Sequence, residues 1–131
     1  MTVVDIDEER FEELVGEALD GIPDEHVNGA LTVGENIGDL GGLTIGHRAY
    51  LISKGGTADT EERQRLFLNW AYCWRTKRRK EQELQLLTID PHSPAEFRAN
   101  IVRNLDEFHQ AFGTTQDDGL WLAPEERVRI W

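Results

Sequence analysis

Apolar residues recur at helical spacing along most of the chain. In residues 6–20, Phe11, Leu14, Val15, Ala18 and Leu19 fall at i, i+3, i+4, i+7 and i+8, which predicts an amphipathic helix. Asp5 and Glu8 stand at capping-box spacing before it, and Gly21 with Pro23 stops it. A second helix is predicted over residues 33–53, with Ile37, Leu40, Ile45 and Leu51 apolar and Gly55-Gly56 at its end. Glycines at 38, 41 and 42 weaken this helix by about 1 kcal/mol each relative to alanine, so it needs tertiary support. Together with Gly34 they would let another backbone come close on one side. Asp59 with Glu62 opens a long helix expected from Thr60 to Leu86, its buried stripe made of Leu66, Phe67, Trp70, Ala71 and Trp74. Asp90-Pro91-His92-Ser93-Pro94 reads as a turn. Ser93 as cap and Pro94 as first helical residue then start a helix to about Val102. A short helix over 105–112, a loop-like tail from Thr114 and one turn after Pro124 complete a mainly α chain with weak strand signals and no internal repeat.

Composition narrows the classes. A chain of 131 residues, 39% of them hydrophobic, suits one globular domain with a modest core. No apolar run reaches the roughly 18 residues of a membrane span, and the acidic N-terminus lacks the cationic and apolar regions of a signal peptide. A cytoplasmic protein without membrane contact is the expectation. The lone cysteine, Cys73, excludes an internal disulfide framework and a cysteine-rich zinc site. Among Trp70, Tyr72 and Trp74 it is expected to be a packed thiol. The net charge of −11 is uneven: residues 1–25 hold ten acids against one base, Arg10, and residues 26–131 hold fifteen against thirteen. The chain therefore divides into an acidic leader, 1–25, and a nearly neutral remainder, 26–131. So acidic a chain is a poor nucleic-acid binder. The cationic run Arg75, Lys77, Arg78, Arg79 and Lys80 reads as a solvated face able to pair with the leader.

The candidate chemistry begins at Glu35 and Asp39. Four residues apart on a helix, they share one face one turn apart. Such a pair can serve one metal centre, one carboxylate ligating and the other orienting a neighbouring ligand. In isolation the same spacing is usually a solvated acidic face. His92, taken alone, would more often be a turn histidine, and Arg98 more often a structural ion-pair partner. Yet a fixed donor such as His92 suits a developing oxyanion, worth roughly 3 kcal/mol in comparable sites. A guanidinium offers forked donors to carbonyl or carboxylate oxygens.

Glu35-Asn36-Ile37-Gly38-Asp39-Leu40-Gly41-Gly42, preceded by Val27-Asn28-Gly29, resembles the third-ligand helix of the neprilysin-family zinc endopeptidases. The resemblance continues through Trp70-Ala71-Tyr72-Cys73-Trp74-Arg75, His92-Ser93-Pro94-Ala95-Glu96-Phe97-Arg98, the stretch from Asn104 to Gly113 and the ending from Pro124 to Trp131. It implies a compact helical domain similar to the C-terminal subdomain of a gluzincin-type metallopeptidase. It also implies roles. Glu35 would be a zinc ligand, Asp39 would hydrogen-bond a ligating histidine, His92 would donate to the oxyanion, and Arg98 would hold a substrate carbonyl. Trp131 would be buried with its carboxylate paired. Animal members carry a Cys where this chain has Val128, which fits a bacterial, disulfide-free relative. Residues 11–25 are instead similar to the first helix of a small bacterial zincin-like peptidase family, and not to the neprilysin-family sequence expected before His26.

Zinc hydrolysis on this plan needs His-Glu-x-x-His on a helix. The histidines are His26, His47, His92 and His109; none is followed by Glu and no two are four apart. The spacing of His26, Glu35 and His92 does not ask for a substitute metal set. The resemblance implies zinc for the complete family site and leaves open that this chain alone binds none. The first reading is therefore the C-terminal catalytic segment of such a peptidase, inactive alone and acting on peptides once an N-terminal lobe completes it. The alternative is a non-catalytic helical interaction module derived from one. In either case the surface that faced the missing lobe needs cover. The expectation is that Phe11, Leu14 and Leu19 pack on the Glu35 helix, or that the chain forms a homo-oligomer or binds a complementing chain.

Overall fold

The computed structural model describes residues 26–130. The leader helix expected over 6–20, its packing on the Glu35 helix and the burial of Trp131 lie outside the described residues. Within them the chain is helical and has no strand.

The first helix, α1, spans Gly29–Ser53. It starts four residues earlier than its apolar pattern indicates, because Asn28 caps it: the Asn28 side chain accepts from the Leu31 amide at 3.1 Å. Its end follows the sequence reading. Gly55 and Gly56 take φ of +83° and +98°. The Gly56 amide returns to the Leu51 carbonyl and the Gly55 amide to Ile52, the double closure of a Schellman turn.

The buried face of α1 differs from the one expected. Leu40 is buried, but Ile37 and Ile45 are about half exposed, and the inward positions are Thr32, Leu43 and His47. Four glycines interrupt the stripe, so apolar spacing does not reveal which side turns inward. Gly34, Gly38 and Gly42 face open space: a methyl group at any of them would have no neighbour within 4 Å. The close backbone approach expected on that side is thus not made at these three among the described residues, whereas Gly41 is buried.

The second helix, α2 (Thr60–Cys73), opens on the predicted capping box: the Glu62 amide donates to Asp59 Oδ1 at 2.8 Å, and the Asp59 amide donates to Glu62 Oε2 at 3.1 Å. It does not run on to Leu86. The chain leaves the helix at Trp74 and resumes as α3 (Lys80–Ile89). Tertiary contacts hold the break. The Trp70 indole donates to the Arg98 carbonyl at 3.1 Å, and the Arg98 guanidinium lies 4.0 Å from the centroid of the Trp74 ring. A continuous helix would also stack five cations between 75 and 80 along one and a half turns, where like charges repel.

After the 90–94 turn, α4 (Ala95–Ala99) passes into a 3₁₀ helix (Asn100–Asn104), and α5 (Asp106–Phe112) ends at Gly113 with φ +63°. Pro94, not Ser93, is the N-cap of α4, and no side chain caps it. A second 3₁₀ turn, Pro124–Glu126, falls where Pro124 indicated. The core gathers Leu40 and Leu43 of α1, Phe67 of α2, Val102, Leu105, and Phe108 and Ala111 of α5. Phe67 is its centre at 2% exposure, edge-on to Phe108 and stacked on His47. The irregular tail is tied back by Arg127 and Arg129, both paired with Asp106, and by the Val128 amide on Asn104. No helix among the described residues is long and apolar enough to cross a membrane.

Candidate functional site

Glu35 and Asn36, with Asp39 one turn further on, lie on α1 opposite the 90–94 turn and α4. A backbone separation of more than fifty residues is closed by three polar contacts. Ser93 Oγ donates to Asn36 Oδ1 at 2.7 Å. His92 Nε2 stands 3.3 Å from Glu35 Oε2. Arg98 grips Asp39 with both arms, Nε to Oδ2 at 2.6 Å and Nη2 to Oδ1 at 2.7 Å. The four residues singled out in the sequence, Glu35, Asp39, His92 and Arg98, are thereby brought to one place.

Their environments differ. The Arg98–Asp39 pair is largely enclosed, its side chains 18% and 11% exposed. The Asp39 hydrogen bonds raise the proton affinity of the guanidinium further, so it stays charged. The ring of Trp74 covers its flat face. With Nε and one arm of Nη2 engaged, the Nη1 hydrogens remain for another acceptor. Both Asp39 oxygens are turned to Arg98. The Glu35 and His92 side chains are instead 47% and 41% exposed. The Glu35 carboxylate is thus an open oxygen donor, suited in chemistry to a single place in a zinc shell. Among the described residues no three His, Cys, Asp or Glu side chains converge to hold a metal ion.

His92 has a support that sequence reasoning missed. Asp90 Oδ1 accepts from the His92 amide at 2.9 Å and meets His92 Nδ1 at 2.6 Å. The ring is held from one nitrogen, which leaves Nε2 to face Glu35. The same two contacts, the amide first, keep the Asp90 carboxyl below its usual proton affinity, and so ionised. A signal for it exists: an Asp two residues before the His, at a proline turn, is the spacing of an Asx turn. Ser93, expected as a cap, is instead buried and tied to Asn36. Trp74 as a seat for Arg98 has no sequence signal.

A cavity of about 530 Å³ adjoins His92 and Arg98. Trp74, Leu84, Leu87 and Phe97 form apolar wall, and Glu83 and Glu96 add carboxyls. Burial, then the neighbouring Glu83 charge, raises the proton affinity of Glu96. Cys73 also opens into this cavity and is exposed, contrary to the packed thiol expected. It is the last residue of α2, at the point where the helix stops before Trp74.

Known proteins share this arrangement of sequence and fold. The family model described as Peptidase family M13 matches residues 9–128. The match reaches into the acidic leader, so the family resemblance begins well before His26. A neutral endopeptidase of Lactococcus lactis is 40% identical over 98% of this chain and 21% of its own length. Human neprilysin is 36% identical over 82% of this chain and 15% of its own. The cryo-EM structure of the Mycobacterium tuberculosis zinc metalloprotease Zmp1 in its open state superposes with a TM-score of 0.81 at 50% identity, over 88% of this chain and 19% of that one. The chain spans between about a seventh and a fifth of the length of these relatives. On these matches the chain belongs to peptidase family M13, the neprilysin family.

Proposed function

We propose that these residues supply one side of a zinc endopeptidase centre that hydrolyses peptide bonds. The observation that carries the reading is the convergence of Glu35, Asp39, His92 and Arg98, which two separate segments bring together through polar contacts. Glu35, with its open carboxylate, would be the ligand this chain offers to zinc. Bound zinc supplies the acidity that activates water and polarises a carbonyl at neutral pH. The rest falls to the chain's own groups. His92, held at Nδ1 by Asp90, presents Nε2 as a donor to the oxygen that gains charge when the carbonyl is attacked. Arg98 keeps free N–H groups for a substrate carbonyl while Asp39 and Trp74 fix its plane. Asp39 orients Arg98 and stands one turn from Glu35, placed to steady an incoming imidazole. The 131 residues contain no His-Glu-x-x-His, so the remaining ligands and the general base come from other sequence.

A second reading has its own support. Both Asp39 oxygens accept from Arg98, a pairing that also suits a helical interaction module that has kept the residues for stability. One experiment separates the two. The chain is assayed for peptide hydrolysis alone and after mixing with a separately expressed M13 lobe that carries His-Glu-x-x-His. Chelator-sensitive activity only in the mixture supports the peptidase reading. A stable monomer that never yields activity supports the module.

A further inference from the structure

The connector between α2 and α3 concentrates charge with little to answer it. Arg75, Lys77, Arg78 and Arg79 are all exposed. Arg75 rests on the Tyr72 ring, and no ion pair reaches Lys77, Arg78 or Arg79 among the described residues. The run leads straight into the N-terminus of α3, where Arg79 is the cap residue and makes no side-chain cap bond. A helix N-terminus disfavours cations, so an anion brought here relieves both the dipole and the mutual repulsion.

The covalent chain brings such an anion. His26 and Val27 line the same cavity as Thr76, Arg78 and Lys80. Glu25 and Asp24 are the next two residues upstream, within about 7 Å of chain from His26. Asp20 lies four residues further, in a leader of net charge −9. We propose that the acidic stretch Asp20–Glu25 docks on the cationic connector Arg75–Arg79. The contact is electrostatic and lies on the surface, so it weakens with salt. It does not rest on the peptidase reading, since it needs only the charges and the path of the chain.

Reciprocal charge reversal in the full chain tests this. At low salt Asp24→Lys with Glu25→Lys should lower Tm by about 3 °C, and Arg78→Glu with Arg79→Glu by about the same. Combining all four should restore Tm toward the parent, and about 1 M salt should erase the differences. Losses that simply add in the fourfold variant overturn the proposal. A second readout uses the unmodified chain: zero-length carbodiimide coupling followed by peptide mapping. A cross-link within one chain between Asp20, Asp24 or Glu25 and Lys77 or Lys80 supports it. No such cross-link, or one that forms only between chains and grows with concentration, overturns it, the latter in favour of a second copy on the connector.

Discussion

At the scale of single residues, the Asp39–Arg98 pair is the interaction with most at stake. A two-armed, largely enclosed ion pair is destabilising to break because the surviving charge stays desolvated. Asp39→Asn should cost about 3 kcal/mol in urea unfolding, and Asp39→Asn with Arg98→Met should recover part of that loss. Two buried histidines set the pH response. Burial lowers the proton affinity of His47, which stacks on Phe67 and leaves Nε2 without a partner among the described residues. Burial likewise lowers that of His109, whose Nε2 donates to the Arg103 carbonyl while Nδ1 meets the Thr114 hydroxyl. Both fall below the ordinary value of 6.5, so the unfolded chain binds more protons than the folded one just beneath that pH. Their contribution to stability is whole above about pH 6.5 and is lost as pH falls through 6.5 toward the lowered folded values. Melting temperature should therefore hold between pH 8 and about 7 and decline from about 6.5 downward, and His47→Phe should flatten the decline. The carboxylates that are similarly linked, such as Asp106 beside Arg127 and Arg129, act only near pH 4 and below.

At the scale of elements, what the sequence discloses is what neighbouring residues decide. The Asp59–Glu62 box and the Gly55-Gly56 stop appear in the structure as read, because both devices close within six residues. The break after Trp74 is not legible, since it depends on Arg98, more than twenty residues away in the chain. The inward side of α1 is hidden where glycines dilute its apolar stripe, and His47 is core rather than surface. The site divides in the same way. Glu35, Asp39, His92 and Arg98 stand in motifs and are legible; their joining by Ser93–Asn36 and the propping of His92 by Asp90 are tertiary geometry. Because Gly38 meets no neighbour among the described residues, Gly38→Ala should raise the stability of this chain by about 1 kcal/mol through helix propensity alone. In the assembled centre the same methyl should hinder a helix packing on that side. Thermal melts of the chain and complementation titrations read the two effects separately.

For the whole molecule, one face of α1 remains uncovered by the described residues. Val33, Ile37, Ile45 and Ile52 are each about half exposed or more, beside the glycines at 34, 38 and 42. That face continues from Glu35, so whatever packs on it also meets the open carboxylate. Under the proposed function this surface is where the lobe that completes the centre would pack. The most direct test of the join is the zinc affinity of the complemented complex, measured by competition with a chelator, with Glu35 intact and with Glu35→Gln. A ligand at 35 predicts at least about a 100-fold weaker hold on zinc in the variant, with the two parts still associating. Equal zinc affinity in the two complexes would contradict it.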